Sequence, residues 1–350
     1  MSWRALRERL SHEYWPWWLV YLPVVPFYLW QALRQRRAAF FTNVNPAIDL
    51  GGFFGESKWR IYQRLPEGSY PRTVLIAPMT SELEVRATRD RAGIEFPLIV
   101  KPDIGERGRA VLLVHDEPSL LAALEQRDEA MLLQAIAPGD HEFGLMFLKD
   151  PDSGRTRLLS ICGKRFLEVA GDGTSTVAEL VRRTTRGRKQ LVRLRKEQPE
   201  LLARVPREGE RVRVEPIGNH CRGTRFVDGG YLRSAALERA VDELLSSTTG
   251  IHYGRLDARA RNEDELRAGR FTVIELNGVS SEPGQIYDPS HGIGWSWREL
   301  LRHVRLMGPL STRLQALGHE PASLVEVMGR CATHFNWPGS GIKGPSPAPA

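Results

Sequence analysis

Two runs in the last third of the chain, IHYGRLDARA (251–260) and RFTVIELNG (270–278), constrain its fold more than any other feature. Each alternates with a period of two, the mark of a strand. Arg255 and Asp257 therefore share one strand face. On the second run Val273, Glu275 and Asn277 share a face, with Ile274 and Leu276 on the other. If the two strands pair antiparallel across the polar connection NEDELRAG, Asp257 lies opposite Glu275 and Asn277. Oxygen-bearing side chains converging from a hairpin, with an arginine alongside, suit Mg²⁺ and a polyphosphate, because Mg²⁺ takes hard oxygen ligands. The plainer alternative is an ion-pair ladder in which Arg255 neutralises Asp257 and Glu275.

At 350 residues, with 41% hydrophobic and 26% charged side chains, the chain has a globular composition and length for about two or three packed subdomains. Its three cysteines, Cys162, Cys221 and Cys331, are odd in number and widely spaced, which excludes a disulfide framework or a CxxC metal site. A reducing, cytosolic setting fits that pattern. The net charge of +7 points to an anionic partner or surface. Nucleic acid is not expected, because aromatic residues are not interleaved with the basic ones as a stacking platform requires.

The N-terminus is the compositional exception. EYWPWWLVYLPVVPFYLWQAL carries no Lys, Arg or Asp from Tyr14 to Leu33, and is rich in Trp and Tyr. About twenty helical residues span a bilayer core. However, Pro16, Pro23 and Pro26 interrupt any straight helix, and the aromatic content is that of the headgroup belt. Arg4, Arg7 and Arg9 precede the run, and Arg34, Arg36 and Arg37 follow it. The expectation is a bent interfacial or re-entrant anchor on an anionic membrane, at the cytoplasmic side of the cell membrane. The alternative is a helix packed on the domain, in which case the protein is simply cytoplasmic. No small-residue cleavage site of a signal peptide follows.

Between these ends, FFTNVNPAIDLGGFFGESK (40–58) reads as a loop, and RTVLIAP (72–78) as a buried strand. A helix opens at Ser81 with Glu84 completing a capping box. FPLIVKP (96–102) is a strand, DIGERGRAVLLVH a glycine loop into the next, and Asp116 with Pro118 opens a helix to about Gln126. AMLLQAIA and EFGLMFL are strands joined by PGDH. Strand-like text runs from Arg157 to Val169, after which Thr176 and Glu179 form a second capping box. Residues 182–196 hold eight basic residues and no acid: a solvated helix face, or an attraction to anionic lipid or substrate. Residues 232–249 form an amphipathic helix, and PGSGIKGPSPAPA at the end is disordered by composition.

Several of these motifs, in order from about Pro71 to Leu310, resemble the ATP-grasp superfamily of carboxylate–amine ligases, in particular D-alanine–D-alanine ligase and the ATP-grasp part of cyanophycin synthetase and bifunctional glutathione synthetase. VKPDIGERGRAV is similar to the family's VKP…GxGV segment, which implies Lys101 on the ATP phosphates and Gly105, Arg107 and Gly108 in the loop over them. LLQAIAPGDHE resembles the stretch joining two lobes, which implies adenine and ribose contacts at Gln134, Ile136, Ala137 and Glu142. Gln134 stands where the family usually has an acid. Lys164 matches a basic phosphate contact before VAGDGTSTVAEL, and PIGNHCRGT resembles the segment beside an acyl phosphate, with Asn219, His220, Arg222 and Gly223. GRLD and ELN match the magnesium motifs: Asp257, Glu275 and Asn277 as ligands, with Arg255 on phosphate.

The resemblance implies an α+β fold of two lobes enclosing ATP, with an aromatic N-terminal segment and a disordered tail. It divides the chain into a membrane-associating segment (1–39), a linker (40–80), a small lobe (81–133), a large lobe (134–310) with a basic insert (182–222), a C-terminal helical region (311–337) and the tail (338–350). Expected cofactors are ATP and Mg²⁺, two ions, with Mn²⁺ as an alternative. Expected partners are ATP, an anionic membrane surface, and carboxylate and amine substrates of unknown identity, with membrane delivery as one option. The segment before Pro71 is short and apolar for the usual substrate domain of these ligases. The competing expectation is a degenerate ATP-grasp protein that binds nucleotide without turnover, as a membrane-linked regulator or scaffold. Cys221 beside His220 offers no thiol mechanism, since neighbours in a strand point oppositely.

Overall fold

Prolines govern the start of the chain in the computed structural model, which describes residues 12–105, 110–125 and 127–334. Pro16 precedes helix α1 (Trp17–Tyr21) and Pro23 precedes α2 (Val24–Gln35). A proline suits the first turn of a helix and disrupts its interior, so the apolar run breaks into two short helices. Val20 and Val24 pack on Ile286 and Leu300. Gln31 is buried against Gly308, where an added Cβ would come within 2.5 Å of its Oε1. The opposite side of both helices is open, with Trp17 72% and Leu33 77% exposed. Among the described residues no helix is long and apolar enough to cross a membrane.

Short turns follow, and then a helix that the loop-like text of 40–58 does not announce. α3 (Lys58–Tyr62) is capped by Ser57, whose side chain accepts from the Arg60 amide, and it buries Ile61 and Tyr62.

The smaller sheet is antiparallel, with β1 (Thr73–Ile76), β4 (Met131–Ala135), β2 (Leu98–Pro102) and β3 (Leu112–Val114) in that spatial order. α4 (Glu82–Arg91) starts at the expected Ser81/Glu84 capping box, and α5 (Glu117–Leu124) at Asp116. Val85 and Leu120 from these helices pack on Leu98, Val100 and Leu133. Because side chains alternate across a strand, Lys101, Leu132 and Gln134 point to the other face. β1 is an edge strand and only half-buried, short of the full burial that its apolar text suggests.

The larger sheet has the order β11 (Thr272–Asn277), β10 (Tyr253–Ala260), β5 (His141–Lys149), β6 (Thr156–Arg165) and β9 (Arg225–Asp228), again antiparallel. Between β6 and β9 the chain makes an excursion. The hairpin β7 (Glu168–Ala170) and β8 (Arg211–Arg213) carries α6 (Val177–Arg182), α7 (Thr185–Glu197) and α8 (Pro199–Ala203) around a small core of their own. The Thr176/Glu179 capping box opens α6. α9 (Ala235–Ser246) lays Leu237, Val241 and Leu245 on one face of the large sheet, against Phe143, Leu145 and Leu256. α10 (Glu263–Arg267) lies in the connection from β10 to β11. On the other face α11 (Ile293–Ala316) covers only one end, through Leu310 and Leu314 on Met146 and Tyr253. α11 is continuous through residue 310. α12 (Leu324–His334) ends the described chain, and the terminal Pro/Gly-rich stretch lies outside the described residues.

The pairing of β10 and β11 departs from the simple alternation of the sequence. Asp257 faces Glu275, but Ala258 faces Val273, so Ile274 is an extra residue in a β-bulge. Val273 therefore does not share a face with Glu275 and Asn277. It turns into the core with Ala258 and Leu276.

Candidate functional site

The end of the large sheet that α11 leaves uncovered carries a row of charges. Asp257 pairs across the ladder with Glu275 on one side and Gly144 on the other, and Gly144 with Cys162. Two rungs away, on the same face, Arg259 pairs with Glu142, and Glu142 with Lys164. Gly144 makes the row feasible, since a Cβ there would lie 3.0 Å from Arg255 Cδ.

The ion pairs are close and buried. Arg255 donates from Nε to Asp257 Oδ1 at 2.8 Å and from Nη2 to Oδ2 at 3.1 Å. Lys164 Nζ bridges Glu142 Oε1 at 2.7 Å and Asp257 Oδ1 at 3.2 Å. Arg259 Nε is 3.7 Å from Glu142 Oε2, and Asn277 donates its Nδ2 to Asp257 Oδ2 at 3.3 Å. Burial alone would raise the Asp257 carboxyl, but the charges of Arg255 and Lys164 outweigh it and hold it below the usual range. Burial would lower Lys164, but Asp257 and Glu142 raise it. Asp257, Lys164 and Arg255 are thus all charged at neutral pH.

The small sheet supplies the facing cation. Lys101 Nζ donates to Gln134 Oε1 at 2.9 Å and to the Tyr62 hydroxyl at 2.8 Å. Tyr62 in turn donates to the carbonyl of Ile274, the bulge residue that precedes Glu275. One tyrosine from α3 thus ties the two sheets together at the charged row. Burial pulls Lys101 down to about 8, against the opposing charges of Glu275 and Asp103. Lys58 Nζ lies 3.8 Å from Glu275 Oε1, and Asp103 anchors α3 by accepting the Trp59 amide at 2.7 Å. Gln134, where the resemblance leads one to look for an acid, holds Lys101 with its oxygen and donates Nε2 to Thr73 at 2.8 Å.

The structure therefore brings Arg255, Asp257, Glu275, Asn277, Glu142 and Lys164 onto one face, with Lys101 and Gln134 on the facing sheet. Ile136, partly exposed, and Ala137, buried, follow β4 on the way to the large sheet. Gly105 ends a described segment, and Arg107 and Gly108 lie outside the described residues. Asn219 and Arg222 lie on the neighbouring 215–223 loop. Asn219 caps a single 3₁₀ turn (His220–Arg222) by accepting the Cys221 amide at 2.8 Å, so His220 and Cys221 are not the strand neighbours the sequence suggested. Arg222 pairs with Glu215 at 3.0 Å and Glu197 at 2.9 Å, holding the 215–223 loop to α7. That loop still crosses the charged row, for a Cβ on Gly218 would reach Glu142 Oε1 at 2.3 Å.

Tyr62 is unmarked in the sequence, Lys58 stands there only as the last residue of the 40–58 loop, and Asp103, Arg259 and Gly144 are unmarked too. The signal for the first two was Ser57 as a helix cap, followed by the apolar spacing Ile61, Tyr62 and Leu65.

Among the described residues no group of three His, Cys, Asp or Glu could hold a metal ion by itself. Asp257 and Glu275 with the Asn277 amide make a smaller, all-oxygen set. Arg255 already holds both oxygens of Asp257, while Glu275 keeps a side chain 34% exposed. Such a set fits Mg²⁺ shared with substrate phosphates, since Mg²⁺ commonly takes one or two carboxylates and completes its shell elsewhere.

No family model matches the chain, and no curated protein matches it. Solved structures do. The chain is similar to a bifunctional glutathione synthetase from Pasteurella multocida, at 17% identity over 72% of this chain and 36% of that one, with a TM-score of 0.39. It is similar to a D-alanine–D-alanine ligase from Bacillus anthracis, at 15% identity over 73% and 68% of the two chains, with a TM-score of 0.42. A third is the VanG D-Ala:D-Ser ligase from Enterococcus faecalis, at 14% identity over 72% and 61%, with a TM-score of 0.41. The match thus spans about a third of the glutathione synthetase. These likenesses are distant, and the chemistry of the site has to rest on its own residues.

Proposed function

We propose that the protein is an ATP- and Mg²⁺-dependent carboxylate–amine ligase of the ATP-grasp kind, forming an amide through an acyl phosphate at a membrane face. The observation that carries this reading is the set of cations gathered around Asp257 and Glu275 between two antiparallel sheets. Lys101 comes from one sheet, and Arg255 and Lys164 from the other.

The proposed reaction needs such a set. A substrate carboxylate oxygen attacks the γ-phosphorus of ATP, the bond to the bridging oxygen breaks, and ADP leaves. An amine nitrogen then attacks the acyl carbon, phosphate departs with the C–O electrons, and the amine proton is lost. Two anions repel in the first step, so Lys101, Lys164 and Arg255 offset charge as it develops, in a site already shielded from water. Asp257, Glu275 and Asn277 would hold Mg²⁺, which supplies further charge neutralisation on the phosphates. Gln134 would set the position of Lys101 rather than contact the nucleotide with a charge. Exposed aromatic rings on α1 and α2, with Arg34, Arg36 and Arg37 at the end of α2, support the membrane-face part of the proposal.

One observation favours a second reading. Arg255 occupies both oxygens of Asp257, as in an ion-pair ladder, which suits a protein that binds nucleotide without turning it over. ADP release by the full chain against pooled carboxylates and amines separates the two. We expect turnover, lost by about a hundredfold or more in Glu275→Ala. Undiminished turnover in a well-folded Glu275→Ala protein rejects the site. Nucleotide binding with no ADP from any pool selects the second reading.

A further inference from the structure

The 218–223 turn, which meets Glu142 at Gly218, also lines a cleft of about 200 Å³ through His220, Cys221 and Gly223. Its walls come from three places: Glu13 and Trp15 before α1, Arg186 and Lys189 on α7, and His220 and Cys221 on the turn. Arg186 closes an ion pair with Glu13, and His220 Nε2 lies 3.4 Å from the same Glu13 oxygen. His220 is held in place by stacking on Tyr287 at 4.8 Å. Lys189 sits differently. Its Nζ lies 3.6 Å from the centroid of the Tyr14 ring, and no described carboxylate is within ion-pair distance of it. Among the described residues one carboxylate thus faces an arginine and a lysine, with a histidine beside them, which leaves the described lining with a net positive charge.

The cleft is small beside ordinary small-molecule sites, which run to about 300–1,000 Å³. It has room for one end of a larger molecule. Directly beyond Trp15 and Pro16 the chain presents Trp17 and Trp18, 72% and 54% exposed, and then Leu22 and Val25 on the same open side. The cleft's Trp15 wall is thus followed within three residues by exposed aromatic side chains.

We propose that this cleft binds the anionic headgroup of a membrane lipid, whose apolar part lies along the open face of α1 and α2. The proposal rests on the membrane-face part of the ligase reading and not on turnover. The lipid's polar end would sit one turn of chain from the charged row, with the 218–223 turn between them. Bilayer docking and the charged row would then share the 218–223 turn.

Cys221 offers a local reporter, because it is exposed and lines the cleft, whereas Cys162 is buried and Cys331 half-buried elsewhere. The experiment follows alkylation of Cys221 in the full chain by peptide mass spectrometry. Vesicles of phosphatidylcholine containing phosphatidylglycerol should slow it by about fivefold or more relative to phosphatidylcholine alone, the effect of roughly one well-placed cation on an anionic headgroup. Lys189→Glu should abolish this protection, with Lys189→Ala as the milder variant. Arg195→Ala, exposed on the same helix outside the cleft, should keep it. An unchanged Cys221 rate while the vesicles pellet the protein overturns the site. So does equal loss in the Arg195 and Lys189 variants, which would mean diffuse charge attraction. Inorganic phosphate protecting as fully as the vesicles would assign the cleft to a free anion and also reject the proposal. ADP release reports on the ligase reading separately, so either can fail alone.

Discussion

Lys101 is placed where a positive charge is costly, and that cost has a direction in pH. Burial takes its ammonium to about 8 in the folded protein, below its ordinary 10.5. Between those values the unfolded chain holds the proton and the folded chain does not, so stability rises with pH across the window. Below about 8 the buried charge is a standing penalty. Phosphate binding needs the charged form, so its pH dependence has the opposite sign. We predict that kcat/KM for ATP falls as pH rises through about 8, while thermal stability holds or increases. Lys101→Met should lose about two to three orders of magnitude in ADP release and lose this alkaline limb, with no loss of stability. Normal turnover by Lys101→Met would remove the residue from the site. The lysine was reached through the resemblance of VKPDIGERGRAV to the ATP-grasp segment, on a strand that the apolar text announces. Its partner Tyr62 was not, because nothing local to KWRIY states that the hydroxyl will bridge an ammonium on one sheet and a carbonyl on another.

At the scale of elements, the antiparallel pairing of β10 and β11 follows from their two periodic runs, and it sets Asp257 opposite Glu275 as expected. The bulge at Ile274 was hidden. A single extra residue leaves the period-two text unchanged on either side and only shifts which face each half belongs to. The site needs that shift: Val273 enters the core, Glu275 stays on the polar face, and the carbonyl of Ile274 is there to receive Tyr62. α11 depends on a different contact that no periodicity reveals. Buried His303 meets the Tyr253 hydroxyl through Nδ1 at 2.8 Å, joining the helix that carries α1 and α2 to the strand that carries Arg255. Burial foremost, and then the charge of Arg302, pushes the imidazole down to about 4. The unfolded chain therefore binds the proton first. Stability is fully present above about 6.5 and is lost as pH falls toward 4. The loss attributable to this histidine is on the order of 3 kcal/mol. Denaturant melts of His303→Gln should show a correspondingly shallower decline between pH 7 and 4. A difference curve flat across that range would mean that His303 does not titrate with unfolding.

Across the whole molecule, both capping boxes and most strands could be read locally, but β8, β9 and the way the sheets meet could not. The four strands of the small sheet are ordered β1-β4-β2-β3 and those of the large one β11-β10-β5-β6-β9. Long-range pairings of this kind depend on shape and volume that no window of sequence contains. The N-terminal run shows the same limit. Its prolines foretell a break, but not that one side of the broken helices packs on Leu300 while the other stays open. A ligand held by both sheets at once must be felt by the molecule as a whole. Lys101 belongs to the small sheet and Glu275 to the large one, and Tyr62 already couples them, so nucleotide bound between them would oppose their separation. At a concentration about a hundred times its Kd, ATP with Mg²⁺ should add about 2.7 kcal/mol of stability. That corresponds to a rise in Tm on the order of 5 °C. Lys101→Met should lose most of this shift, and Glu275→Ala should lose the part that depends on Mg²⁺. Trp17→Ser with Trp18→Ser, two changes on the open face, should keep all of it. A cooperative melt that ATP does not move at any concentration would rule out both the ligase and the nucleotide-binding reading, since each requires ATP to bind the folded chain.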